Sequence, residues 1–257
     1  MKLGQRRKMK RMICLAAMVL PVFASLTGSQ ERKILRVGVS PMSPPIQYWE
    51  KNKLAGLEID FADKLGEELG REVEYVDLKF EKLIPALLNN EIDIIMAGMS
   101  STKIRELQVA FATPYMRVGQ MPLVRLEDRN LYNFPLDVVM TDKRIGAQEN
   151  TTSEYLLVKE FPKAKKKLFA SHSNGLSALK SKKIDLLILD SPYVLWMAMK
   201  SDGKLAVLPF LLTEESLAWA VRKSETDLLE SVNIALAKWK ETGQMDAMIK
   251  NQIPGFN

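Results

Sequence analysis

The arrangement that most constrains this chain occurs twice. Ala86-Leu87, four residues, then Ile92-Asp93-Ile94-Ile95-Met96 is matched by Ala178-Leu179, four residues, then Ile184-Asp185-Leu186-Leu187-Ile188. Each copy reads as a helix end, a tight polar turn and a short apolar run, the pattern of a strand buried on both faces. Two α/β units built alike predict two lobes. Their strands end differently. The first, Ile92 to Ala97, breaks at Gly98 into Met99-Ser100-Ser101-Thr102 and a short helical stretch carrying Arg105; the second ends in Leu189-Asp190-Ser191-Pro192. Ligands of open α/β sheets bind at the carboxyl ends of strands. An arginine fork can hold both oxygens of a carboxylate, and an aspartate facing it would take an ammonium group. That pairing suits an α-amino acid. Taken alone, Arg105 would also fit as a solvated surface residue; the second copy of the unit favours a cleft.

Helices and strands alternate along the rest of the chain. Ile34 to Val39 reads as a strand. Ile59 to Leu69 is an amphipathic helix with Phe61, Ala62, Leu65 and Leu69 on one face and Gly70 as its stop. Val73 to Asp77 is a strand, Leu83 to Asn89 a helix, and Glu127 to Asp137 a less ordered stretch. Arg144 to Ala147, Thr152 to Phe161 and Lys167 to Ala170 read as strand, helix and strand. Leu217 to Arg222 is a strand, and Asp227 to Thr242 is the longest helix, burying Leu228, Val232, Ala235 and Trp239.

Residues 1–24 have the form of a cleavable secretory signal. Six basic residues, from Lys2 to Arg11, precede the apolar Met12 to Phe23, and Val22-Phe23-Ala24 offers small residues for cleavage. The apolar run is shorter than the ~20 residues of a spanning helix and contains Pro21; an uncleaved anchor is the alternative. The leader changes the charge reading. The chain has 37 basic and 31 acidic residues, net +6; without the six leader cations the balance is zero. The high pI therefore implies no nucleic-acid partner, and Lys163-Ala164-Lys165-Lys166-Lys167 reads as a solvated helix end. The only cysteine, Cys14, lies in the leader, and Arg11-Met12-Ile13 does not form a lipoprotein box. The mature chain would carry no disulfide, cysteine–metal site or cysteine nucleophile. The sole histidine, His172, reads as a solvated loop residue, with Ser173 as cap of the next helix.

Nearly the whole chain past residue 33 resembles the extracellular (periplasmic) solute-binding proteins of the polar amino-acid ABC importers, family 3. The resemblance rests on Leu35 to Val39, Gly56 to Asp60, Phe80 to Leu87, Ile92 to Tyr115, Ile145 to Tyr155, Ile184 to Asp190 and a C-terminal helix ending near Gly243 to Asp246. It implies an α/β, two-lobe type II periplasmic binding fold crossed twice, near 118–124 and 212–218. Residues 34–119 plus 217–257 would form lobe 1, and 120–216 lobe 2. It also implies a monomer without cofactor or metal, exported to the periplasm, that closes over an amino acid or similar small carboxylate and presents the closed form to a membrane permease.

The resemblance places Arg105 on the ligand carboxylate, with donors from Ser100 and, at a helix start in the opposite lobe, from Thr152 and Thr151. Hydroxyls and free N–H groups at a helix N-terminus attract an anion; plain N-capping is the alternative. Asp190 and the Gly98 carbonyl would take the ammonium, unless Asp190 only caps the Pro192 turn. Phe80 would be an aromatic wall or, by periodicity, a core residue. The family often carries a second aromatic in the first loop, where this chain has Ser43. No charged residue stands out as a selector for the ligand side chain.

Two other classes compete. Cyclohexadienyl (arogenate/prephenate) dehydratases share the fold and the carboxylate-binding arginine, but add an acid three residues after the strand-end aspartate. Tyr193 stands there, a poor general acid for a leaving hydroxyl. A sensory module would be expected to carry a relay segment, and none follows Asn257 in the sequence.

Overall fold

The structure, a computed structural model, describes residues 34–253. The expected leader, with Cys14, lies outside the described residues. Two five-stranded sheets dominate. In the first, β1 (Ile34–Val39) lies between β5 (Glu72–Asp77) and β6 (Ile94–Ile95), parallel to both; β15 (Ala220–Val221) then runs antiparallel to β6 and β7 (Ala110–Phe111). In the second, β10 (Arg144–Gln148) lies between β11 (Lys165–Phe169) and β12 (Leu186–Asp190), again parallel to both; β9 (Gln120–Arg125) runs antiparallel to β12 and to β13 (Leu205–Val207). The same order, three parallel strands followed by an antiparallel one, is built twice.

The duplicated aspartates explain why the sequence repeats. Asp93 accepts from the backbone N–H, Nε and Nη2 of Arg36, and Arg222 donates from Nη1 to the carbonyls of Leu87 and Ile92. Asp185 accepts the same three bonds from Arg144, and Arg125 donates from Nη1 to the carbonyls of Leu179 and Ile184. Each Ile-Asp pair thus puts the isoleucine in the core and uses the carboxylate to fix the turn before the central strand. Charge-assisted, two-pronged bonds of this kind are directional as well as strong.

Apolar periodicity sets the layers. Helix α1 (Leu57–Leu69) buries Phe61 and Leu65, and α8 (Thr226–Glu241) buries Leu228, Val232, Ala235 and Trp239. Their faces meet in one core with Trp219 and Tyr115, where the Phe61 and Trp239 rings stack at 5.9 Å. The C-terminal α9 (Gln244–Gln252) adds Met245 to that core, so both ends of the described chain build the first sheet's layer. A small meander of β2 (Met42–Ser43), β3 (Gln47–Glu50) and β4 (Lys53–Ala55) leads into α1.

The chain passes from the first sheet to the second after β8 (Met116–Val118) and returns through β14 (Glu215–Leu217). These strands pair with each other, Glu215 opposite Val118. Gly119 lies where they diverge, and a Cβ there would stand 2.0 Å from the Thr213 carbonyl oxygen. Only glycine lets the two passages lie this close.

Several elements differ from the sequence expectation. The 127–137 stretch is ordered as a 3₁₀ segment, Leu126–Leu131, and a helix α4 (Pro135–Val139), because the Asp137 carboxylate caps the N–H groups of Asn133 and Phe134. Lys165–Lys167 form the exposed edge strand β11 rather than a helix end; lysines suit an edge because they discourage further pairing. The run Leu217 to Arg222 is not one strand, since Ala218 and Trp219 lie between β14 and β15.

Candidate functional site

A cavity of about 330 Å³ lies between the carboxyl ends of the two sheets' central strands. All eight candidate residues line it: Ser43, Phe80, Gly98, Ser100 and Arg105 from the first sheet's side, Thr151, Thr152 and Asp190 from the second's.

Arg105 is carried by the short helix α3 (Lys103–Glu106), whose N-cap Thr102 accepts the Arg105 N–H. Its Nη1 donates to the Ser100 carbonyl at 2.9 Å, and its guanidinium carbon lies 5.3 Å from the centre of the Phe80 ring. Phe80 therefore packs its body against the core around Leu83 and Ile92 while one face holds the arginine. Burial lowers the Arg105 pKa, and the charges of Asp190 and Glu215 oppose that shift. Gly98 has φ +61°, and its N–H donates to Glu58 Oε1 at 2.8 Å. Glu58 is fully buried and also accepts from the Tyr115 hydroxyl and the Trp219 indole. Burial pushes its carboxyl up to about 7 against the pull of these three donors.

Asp190 ends β12 and occupies the N-cap position of α7 (Ser191–Met199) without a capping bond from its side chain. Its carboxylate is held instead by Gln120, its register partner on the antiparallel β9. Side-by-side residues on one face of a strand pair are close enough to bond. Burial and then the charge of Glu215 push Asp190 up to about 6, with Gln120 and Arg105 pulling it down. Thr151 caps α5 (Thr152–Glu160) by accepting the Glu154 N–H, and its hydroxyl donates to the Gln148 carbonyl at 2.7 Å. Thr152 Oγ1 is 3.0 Å from Gln120 Nε2.

Sequence reasoning missed four groups. Gln120 is fully buried; its Nε2 faces Asp190, Thr152 and Glu215, and its Oε1 accepts from Ser153. Glu215 accepts from Ser100 Oγ at 2.6 Å and Thr213 Oγ1 at 2.9 Å. The Ser100 hydroxyl, expected to face a ligand, is thus already engaged. The signals were present: a lone polar residue within the apolar crossing Val118 to Val124, and paired acids in the crossing 212–218. Buried polar side chains need partners, but neither signal pointed to the other, 95 residues away. The third group is Gln148, whose Oε1 is buried without a hydrogen-bond partner among the described residues and whose side chain lines the cavity.

His172 is the fourth, and it corrects an expectation. It is not a solvated loop residue but the first residue of α6 (His172–Lys180), with Ser171, not Ser173, as the cap. Its Nδ1 is 2.9 Å from Ser43 Oγ, and its ring lies 4.7 Å from the Tyr193 ring. Burial pushes His172 down to about 4, and burial lifts the Tyr193 phenol to about 12.

With this geometry in place, comparison with known proteins is informative. Residues 35–253 match the bacterial extracellular solute-binding proteins, family 3. ABC transporter arginine-binding protein 1 of Escherichia coli (strain K12) is 30% identical over 243 residues, which cover 91% of this chain and 95% of that protein. Among solved structures, a mutant of ArgBP from T. maritima superposes with TM-score 0.79 at 32% identity, covering 85% of this chain and 94% of its own. An ancestral amino acid-binding protein, a precursor of cyclohexadienyl dehydratase, gives TM-score 0.79 at 32% identity, over 86% and 95%.

Proposed function

The chain belongs to the family 3 bacterial extracellular solute-binding proteins, and from that premise we propose that its cleft captures an amino acid for an ABC importer by closing two lobes over it. The observation that carries this reading is the presence of Arg105 and Asp190 in one 330 Å³ cavity, Arg105 from the helix that follows the first sheet's β6 and Asp190 from the end of the second sheet's β12. A zwitterion leaving water loses strong hydration and must regain matched charges and hydrogen bonds. Arg105 offers the carboxylate a fork; Asp190, held by Gln120, offers the ammonium a counter-charge. Neither side of the cleft provides both, so a bound zwitterion favours the closed arrangement. Residues 34–119 with 217–257 act as one lobe and 120–216 as the other, with the crossings near 118–124 and 212–218 as the hinge. The protein works as a monomer in the periplasm, without nucleic acid, and hands its ligand to a membrane permease.

We propose no reaction on the ligand. The position that a dehydratase would fill with a carboxyl holds Tyr193, whose phenol burial lifts to about 12 and which is a poor general acid for a leaving hydroxyl.

A thermal-shift screen of the mature chain against the amino acids, with keto and hydroxy acids alongside, tests the reading. At 100 times its dissociation constant, a cognate amino acid stabilises the protein by about 2.7 kcal/mol. A response confined to acids lacking an amine would overturn the amino-acid reading.

A further inference from the structure

We infer that His172 sets the length of ligand side chain the cleft accepts, by closing a wall from the second sheet's side onto the strand Met42–Ser43. This rests on the amino-acid reading above. His172 opens α6, whereas Ser43 belongs to the meander that leads into α1. Ser43 Oγ and His172 Nδ1 are 2.9 Å apart. The other side of the ring packs on Tyr193 at 4.7 Å. Met42, Ser43, His172 and Tyr193 line the same cavity as Arg105 and Asp190. Tyr193 lies in the first turn of α7, three residues after its N-cap Asp190. The imidazole–phenol pair therefore lines the same cavity as the site proposed for the ligand's ammonium.

Two consequences follow from the chemistry of the contact. The small serine leaves room for a residue from the opposite side, so the cavity's boundary here is made only when the two sides meet. The contact is also neutral, because burial keeps the imidazole unprotonated near neutral pH. A ligand whose side chain stops short of the ring leaves the Ser43–His172 bond intact. A longer one must displace the ring and lose both that bond and the packing on Tyr193. A net hydrogen bond of ~1 kcal/mol corresponds to a penalty of about fivefold, and the packing raises it toward tenfold.

The test compares calorimetric dissociation constants of alanine, glutamine and arginine, a series of increasing length, for wild type, His172→Ala and His172→Phe. His172→Ala should move the ratio of constants about tenfold in favour of the longer members. A merely structural role would weaken all three ligands alike and leave that ratio unmoved. His172→Phe keeps a ring and loses the bond; it should weaken all three alike and keep the wild-type ranking. Wild-type binding with the same ranking in His172→Ala would overturn this inference alone. Equal loss of all binding in both variants would also overturn it, marking His172 as a direct ligand contact rather than a boundary. Absence of any amino-acid binding by the wild type would overturn the amino-acid reading, and this inference with it.

Discussion

The side-chain amide of Gln120 lies 3.0 Å from Glu215 Oε1, joining the strand that enters the second sheet to the strand that returns from it. The same nitrogen reaches Asp190 and Thr152, so three oxygens compete for two hydrogens. The backbone reinforces the junction: Gln120 N–H donates to Thr213 Oγ1 and its carbonyl accepts from Leu212 N–H. One buried side chain thus couples the ammonium end of the proposed site to both crossings.

Gln120→Leu should therefore act on stability and binding together. It leaves the Asp190 carboxylate without its hydrogen-bond donor among the described residues and removes one of the three donors to Glu215, and a stranded acceptor costs about 1–3 kcal/mol. A urea titration should show a loss of at least ~2 kcal/mol, and calorimetry a drop in amino-acid affinity of about tenfold or more. Normal stability and normal affinity would show that the amide is dispensable.

Affinity should depend on pH through Asp190. Its carboxyl is held at about 6, first by burial and then by Glu215. An ammonium ligand favours the ionised form, so binding should strengthen as pH rises through about 6 and weaken below it by up to about tenfold per unit. Stability of the ligand-free protein runs the other way. A carboxyl whose folded pKa is raised above the unfolded 3.8 contributes most below that value, and the contribution is lost as pH rises through the folded value. Glu215→Gln removes the neighbouring charge and should move the midpoint of the affinity profile downward. A flat profile between about pH 5 and about pH 8 would refute the assignment.

Arg105→Ala should lower ligand affinity by several kcal/mol, because it buries a carboxylate without its counter-charge. Arg105→Lys should recover only part of this, since an ammonium cannot reproduce the fork, the bond to the Ser100 carbonyl and the face of Phe80 at once. The fold should survive both changes. Calorimetry with unchanged affinity for Arg105→Ala would remove the arginine from the site.

Asp190→Asn separates ligand classes. An amino acid should lose roughly 2 kcal/mol or more, while the matching acid without an amine should be little affected or gain. Equal losses for both would make Asp190 a structural residue that holds Gln120.

How much of this was legible beforehand depended on whether a residue's partner was local. Ile92-Asp93 and Ile184-Asp185 announced themselves because each sits in a turn beside its own strand and repeats at the same spacing; the two-sheet architecture followed from them. The meeting of Arg105 and Asp190 could be inferred because strand ends gather where ligands bind. Gln120, Glu215 and His172 were opaque for the opposite reason. Gln120 and Glu215 are 95 residues apart, Ser43 and His172 are 129 apart, and neither pair lies in a pattern that periodicity can read. His172 in particular sits among Ser171, Ser173 and Asn174, a composition that describes a surface loop. Only the approach of Ser43 from the other side of the cavity gives it a partner.

Ser43→Phe turns on that closure. An aromatic at this position, judged from the first loop alone, would add stacking to the ligand of order 0.5–1.5 kcal/mol. The position of His172 changes the expectation. The Ser43 hydroxyl is already 2.9 Å from the imidazole, so a phenyl group must occupy the volume of the ring or push it toward Tyr193. Ser43→Phe alone should therefore hinder closure and weaken amino-acid binding by about tenfold, in the range of 1–3 kcal/mol for overpacking. Adding His172→Ala frees the space, and the double variant should bind more tightly than Ser43→Phe alone. Contacting residues show such non-additivity, whereas distant ones do not. Calorimetry on the four proteins closes the cycle: additive losses would mean that the two side chains do not meet in the ligand-bound form.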